Sequence, residues 1–239
     1  MPARLTLENL HVSLADGDRG FTLSIPAMAL EAGEVFGLTG PSGTGKTMML
    51  EVLGLLRRPG SGGYLLETEA ETMDLSAVWD RKDISPPDVR GDHFGFVPQS
   101  GGLLPFLTVA ENIEISQRIA EREDTNWSAE LTDRLGLAEV ATLRPPALSI
   151  GQRQRVAIAR ALAHRPSFVI ADEPTAALDP EAAETAMGLL IEAATSGGSG
   201  VVISSHDLSL LDRFEMKRLA LAITSEKGSP SVTSTLGVM

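Results

Sequence analysis

Apolar and polar residues alternate from Arg4 to Ser13, with Leu5, Leu7, Leu10 and Val12 apolar. That near period-two pattern predicts a half-buried strand. Phe21-Thr22-Leu23-Ser24-Ile25 alternates in the same way, and Ala15 to Gly20 between them reads as a turn. Two antiparallel strands are therefore expected to open the chain. Val35-Phe36-Gly37-Leu38 is a short apolar strand, and Met48 to Leu56 is an apolar segment of helical type. Residues 57–93 are rich in Gly, Pro, Asp and Glu, and Arg57 to Gly63 reads as a loop. Phe94 to Val97 then predicts a strand stopped by Pro98.

The pattern turns helical from Thr108 to about Leu143, where Thr108 and Glu111 have capping-box spacing. Trp127 to Leu137 predicts a second amphipathic helix. Gly151 to His164, full of strong helix formers, predicts a third. Ser167 to Ala171 is an apolar β-type run leading into Asp172. Asp179-Pro180 opens another helix, since proline suits the first helical position. Val201 to Ser204 is a further buried strand. Gly228 to Met239 is small and polar and is expected to be frayed.

This order predicts an α/β fold with a mostly parallel core sheet, an N-terminal antiparallel β subdomain and a helical lobe. The chain is expected to form one domain over residues 1–225, with the lobe inserted at about 100–150 and a tail over 226–239. Its 239 residues can bury one large core, and no internal repeat is evident.

Composition removes several function classes. No run approaches the roughly 18 apolar residues needed to cross a bilayer, and the N-terminus lacks the pattern of a secretion signal. There are no cysteines, hence no disulfides or thiolate metal sites, which suits the cytoplasm. A formal net charge of −12 argues against nucleic acid as a partner. The densest basic cluster, Arg153, Arg155 and Arg160, is spaced for a helix and reads as a solvated or ion-paired face. His11, His93 and His164 have no ligand-like partners in sequence and read as structural or surface residues.

The chemistry concentrates in Gly40-Pro41-Ser42-Gly43-Thr44-Gly45-Lys46-Thr47, which fits G-x-x-x-x-G-K-[ST] at every required position. A strand enters it and a helical segment leaves it, as a P-loop NTPase core requires. Glycines let the backbone turn its N–H groups toward phosphate oxygens, and the helix N-terminus adds positive potential. Lys46 is placed for the β and γ phosphates and Thr47 for Mg²⁺.

Four further segments choose among the families that carry such a loop. They are Phe96-Val97-Pro98-Gln99 followed by Leu104 to Asn112; Leu148-Ser149-Ile150-Gly151-Gln152 with its helix; Phe168 to Thr175, containing Asp172-Glu173; and Ala177-Leu178-Asp179 with Ser204-Ser205-His206-Asp207. Together they resemble the Q-loop, signature, Walker B, D-loop and switch histidine of ABC transporter nucleotide-binding subunits, over about residues 4–225. The compact build is similar to the small lipoprotein-releasing and macrolide-export-type ATPases.

The resemblance implies an ATPase using ATP and Mg²⁺. Thr47, Gln99 and Asp172 would hold the metal, Gln99 would also reach the attacking water that Glu173 activates, and His206 would contact the γ-phosphate. Ser149, Gly151 and Gln152 would contact nucleotide from a facing subunit, and Asp179, in the D-loop match, would also belong to the nucleotide-binding residues. Implied partners are separate transmembrane permease subunits and either a second copy or a related ATPase. The implied location is the inner face of the cell membrane, reached from the cytoplasm. An ABC ATPase of a non-transport complex, such as a cell-division or wall-remodelling regulator, stays open. Two departures stand out: Ile150 replaces the first signature glycine, and Leu14 and Phe21 occupy the region where an aromatic residue commonly stacks on adenine.

Replacing Lys46 by Ala should weaken ATP binding about tenfold or more, read by calorimetry. Unchanged affinity would count against the phosphate-loop assignment.

Overall fold

The structure is a computed structural model that describes residues 2–16, 19–224 and 231–238. The predicted opening turn therefore falls partly outside the described residues, at Gly17 and Asp18. The flanking strands, β1 (Arg4–Asp16) and β2 (Arg19–Glu31), pair antiparallel, with Leu14 opposite Phe21. β3 (Val35–Thr39) runs into the phosphate loop, which ends in α1 (Lys46–Leu53).

The segment read as loop-rich holds more structure than its composition suggests. It contains β4 (Ser61–Glu67), β5 (Thr72–Asp74) and α2 (Pro86–His93). β4 starts inside the predicted loop because its glycines permit it. Gly62 has φ +98, and a Cβ there would lie 2.3 Å from the Asn9 carbonyl oxygen, where β1 shifts register against β4. Proline begins α2 behind a capping box in which Ser85 and Asp88 bond reciprocally.

β6 (Phe94–Val97) follows, and then the helical lobe with α3 (Val109–Ile119), α4 (Thr125–Arg134) and α5 (Ile150–Ala163). The Thr108–Glu111 capping box is present. α4 begins two residues earlier than the pattern predicts because Asp124 caps it, accepting the Trp127 N–H at 2.9 Å. β7 (Phe168–Asp172), α6 (Pro180–Thr195), β8 (Gly200–Ser204), α7 (Leu208–Arg213), β9 (Lys217–Ile223) and β10 (Ser231–Val238) complete the order.

The described strands form one sheet in the order β5-β4-β1-β2-β10-β9-β3-β8-β7-β6. β9, β3, β8, β7 and β6 are mutually parallel, and most of the remaining pairings are antiparallel. Every residue of β7 and β8 is buried, which explains their unbroken apolar runs. β10 corrects the expectation of a frayed tail. Ser231–Val238 inserts between β2 and β9, because β9 would otherwise leave a row of unpaired backbone groups beside β2. Gly228 to Pro230 and Met239 lie outside the described residues.

The helical arginines also differ from the sequence reading. Arg153 donates to the Leu148 carbonyl at 2.6 Å, and Arg155 to Leu135 at 2.6 Å. Arg160 donates to Gly102 at 3.0 Å and Gly101 at 3.2 Å. All three are half-buried, and they serve backbone carbonyls rather than solvent or acidic partners. The remaining histidines fit a structural role: His164 is buried, and burial pulls its pKa down to about 4.

Two buried clusters hold the sheet. One joins β1, β2 and β4 to α1; the other joins β6, β7 and β8 to α3 through α6. α5 lies so close to β6 that a methyl at Gly95 would sit 2.1 Å from the Ala161 carbonyl oxygen. Gly95→Ala should therefore destabilise the protein by about 2–3 kcal/mol, because α5 must shift off the sheet. A lower urea midpoint at unchanged slope would register this.

Candidate functional site

The parallel strands end together, and their C-terminal ends carry the candidate chemistry. β3 ends before Gly40, β6 before Gln99, β7 at Asp172 and β8 at Ser204. Asp172 pairs in register with Ser204, and Leu38 with the same residue on the other side. Loops at adjoining strand ends therefore meet in one crevice, the usual ligand position in open α/β sheets.

The phosphate loop owes its shape to glycine. Gly40, Gly43 and Gly45 have φ of 147°, 81° and 87°. A Cβ on Gly40 would lie 2.7 Å from the Leu221 carbonyl oxygen, so only glycine passes here. Thr44 closes the turn, its hydroxyl donating to the Pro41 carbonyl at 2.8 Å. Lys46 is buried, and its Nζ donates to the carbonyls of Gly40 at 2.7 Å and Pro41 at 3.2 Å. The first turn of α1 leaves N–H groups without intrahelical acceptors, a ready site for an anion.

Beside the loop lies a hydroxyl–carboxylate chain. Thr47 Oγ1 donates to Asp172 Oδ2 at 2.8 Å, and Ser204 Oγ donates to Asp172 Oδ1 at 2.6 Å. Ser204 Oγ in turn accepts the Glu173 N–H at 2.9 Å. Glu173 has φ 48°, a left-handed conformation uncommon for a side-chain-bearing residue, of the kind that gathers at functional sites. Its Oε1 lies 2.6 Å from His206 Nε2, and its Oε2 accepts from Gln99 Nε2 at 3.3 Å. Asp207 pins the segment after His206 by capping α7. The Ser209 hydroxyl and the Leu210 N–H hold its carboxyl below the usual range.

The phosphate loop borders a cleft of about 450 Å³. Ser42, Gly43, Gly45, Lys46 and Thr47 form one wall, and Gln99, Glu173 and His206 face them. Leu14 and Phe21 make an apolar edge, with Phe21 so close to the loop that a Cβ on Gly45 would touch its ring at 2.9 Å. No cluster of three or more His, Cys, Asp or Glu residues among those described could hold a metal by itself. The Thr47 hydroxyl and the Asp172 carboxylate fit a hard divalent cation that takes its other oxygens from phosphate and water.

Four predicted residues lie away from the cleft. Ser149 caps α5 in a capping box with Gln152, so both side chains are engaged with the helix end. Gly151 packs against the following loop, where a Cβ would lie 3.2 Å from the Ala177 carbonyl oxygen. Asp179 caps α6, accepting the Ala182 N–H at 3.0 Å. Ile150 is 65% exposed at the start of α5. Sequence reasoning placed Ser204 in the switch segment but missed its bond to Asp172. The available signal was a hydroxyl residue closing an otherwise apolar strand.

A family model described as ABC transporter matches residues 23–176. A lipoprotein-releasing system ATP-binding protein LolD of Idiomarina loihiensis is 37% identical over 220 residues, 89% of this chain and 92% of its own length. A macrolide export ATP-binding/permease protein MacB 2 of Aeromonas hydrophila is 36% identical over 86% of this chain, which spans 31% of that longer protein. Among solved structures, the ATP-binding cassette MJ0796 matches in a dimeric post-hydrolysis state bound to ADP and Pi. That match has a TM-score of 0.80 and 31% identity, covering 95% of this chain and 96% of the cassette.

Ser204→Ala should leave a buried Asp172 oxygen without its donor and release the Glu173 N–H. The expected loss is about tenfold in kcat for ATP hydrolysis, ~1.4 kcal/mol. Steady-state phosphate release at saturating ATP checks it.

Proposed function

Because this chain belongs to the ABC transporter family, we propose that two ATPase cassettes sandwich ATP and drive separate permease subunits at the inner face of the cell membrane. The chain is an ATP-binding and ATP-hydrolysing cassette of the LolD/MacB type. The observation that carries the further reading is the division of the site. Lys46, Gln99, Glu173 and His206 converge on one cleft. Ser149, Gly151 and Gln152 build a second helix N-terminus that lies outside it. A helix end of that kind favours phosphate, and in a pair it would cover the γ-phosphate bound by the opposite copy.

In this reading the phosphate loop and Lys46 bind the phosphates, while Thr47, Asp172 and Gln99 hold Mg²⁺, which supplies charge neutralisation when bound. Glu173 takes the proton from the attacking water, and its contacts with Gln99 and His206 set the carboxylate's position. His206 stays near the γ-phosphate position. Such chemistry needs positioning and charge stabilisation more than covalent catalysis. Leu14 and Phe21 offer apolar contact to the base. Asp179 acts through the placement of α6 and the loop before it.

A relative whose name joins an ATP-binding part to a permease supports the reading of coupling to membrane subunits, and among the described residues no helix is long and apolar enough to cross a membrane. The solved cassette relatives are dimeric, which supports pairing.

Glu173→Gln should bind ATP without hydrolysing it and shift from monomer to dimer only when Mg-ATP is present. Size-exclusion chromatography with light scattering reads this directly. A monomer that persists with ATP bound would mean that two copies of this chain do not suffice.

A further inference from the structure

Glu173 and His206 face two spaces. They border the nucleotide cleft, and they also border a second cavity of about 500 Å³. Their contact, Glu173 Oε1 to His206 Nε2 at 2.6 Å, is therefore part of a partition between the two. The second cavity lies between the start of α6 and α7, with Leu178 and Leu210 supplying apolar wall. Ser205, which is buried, marks its deep end. Arg213, the last residue of α7, is exposed and Glu184 of α6 is half-exposed, so these two mark its mouth, where they form an ion pair.

The lining suits a small oxyanion in transit rather than one held tightly. Ser205 Oγ accepts the Asp207 N–H at 3.0 Å, a bond that leaves its own proton unused, and Thr175 adds a second hydroxyl. Three carboxylates face the same space, those of Glu173, Glu184 and Asp207. Arg213 neutralises Glu184, and Asp207 Oδ1 accepts from the Ser209 hydroxyl at 2.5 Å and the Leu210 N–H at 3.1 Å. Glu173 loses its charge in the reaction itself. As the water oxygen bonds to the γ-phosphorus, the bond to the β-phosphate oxygen breaks with its electron pair going to ADP, and the water proton passes to Glu173. The partition is thus least repulsive to an anion when phosphate has just formed. At the mouth, the Arg213 guanidinium can exchange a carboxylate for phosphate oxygens with the same planar fork.

We propose that this second cavity is the exit path of the product phosphate, with Arg213 as the group that receives it at the mouth. The proposal rests on the reading of paired cassettes given above. In a pair, the partner's helix end covers the open side of the cleft, and ADP stays on the phosphate loop. Phosphate formed between them borders Glu173 and His206, and the space beyond those two residues is the second cavity. Parting of the Glu173–His206 contact joins the two spaces, so phosphate leaves while the copies are still closed around ADP. It passes the Ser205 and Thr175 hydroxyls and displaces Glu184 from Arg213, and Glu184 returns once the phosphate is gone.

The test uses the full chain in a single turnover of Mg-ATP, with cleavage read by chemical quench and free phosphate by a fluorescent phosphate sensor. Ala183 lines the cavity from α6, so a larger side chain there narrows the path. Ala183→Leu should cleave ATP at the parent's rate and release phosphate about fivefold or more behind cleavage. Release that keeps pace with cleavage overturns the proposal. Glu184→Gln should free Arg213, so that added inorganic phosphate inhibits steady-state hydrolysis at about fivefold lower concentration. Arg213→Met added to Glu184→Gln should remove that gain. Inhibition unchanged by Glu184→Gln, or a gain that survives Arg213→Met, also overturns the proposal, and this measurement decides it if Ala183→Leu does not fold or does not cleave ATP. Pairing is read separately, by light scattering on Glu173→Gln with Mg-ATP. A chain that stays monomeric there sinks the paired-cassette reading, while the release lag and the phosphate inhibition still decide the exit path.

Discussion

The position of the Asp172 carboxylate constrains everything around the cleft. It ends a fully buried strand and is itself only 3% exposed, so each of its oxygens needs a donor. Thr47 supplies one from the start of α1, and Ser204 supplies the other from the end of β8. Three segments distant in sequence are thereby fixed to one point. Ser204 then passes the constraint on by accepting the Glu173 N–H, which helps hold the left-handed turn that carries the Glu173 carboxylate to His206 and Gln99. The geometry of Glu173, His206 and Gln99 therefore descends from the burial of a single acid.

A second constraint acts at the helix ends. α1 and α5 each begin with N–H groups that their own helix cannot satisfy. At α1 the glycine-shaped loop keeps that end beside Lys46 and the cleft. At α5 the Ser149–Gln152 capping box stabilises the helix start, while Gly151 keeps it close to the loop before Asp179. The two ends lie on separate parts of one chain. Under the proposed reading, a nucleotide between two copies is what brings unlike ends together, and hydrolysis removes the group that holds them.

The arginines of α5 fasten the helix to its neighbours. Each spends its guanidinium on backbone carbonyls, so the helix is fastened to Leu135, to Leu148 and to the Gly101-Gly102 turn. Helical spacing alone could not separate this from a solvated basic stripe, because both present the same residues on one helix.

Local chemistry made much of the molecule legible in advance. The phosphate loop, the capping box at Thr108 and the buried runs of β7 and β8 depend on neighbours within a few residues, so the sequence by itself determined them. Tertiary structure decided what depends on distant partners. It placed Ser204 on Asp172, inserted β10 between β2 and β9, let β4 pass β1 at Gly62, and set Phe21 against Gly45. It also turned Arg160 inward. In each case the deciding term is a contact between residues far apart in the chain, where strand pairing, desolvation or a missing Cβ outweighs local preference. No periodicity along one strand or helix encodes such a contact.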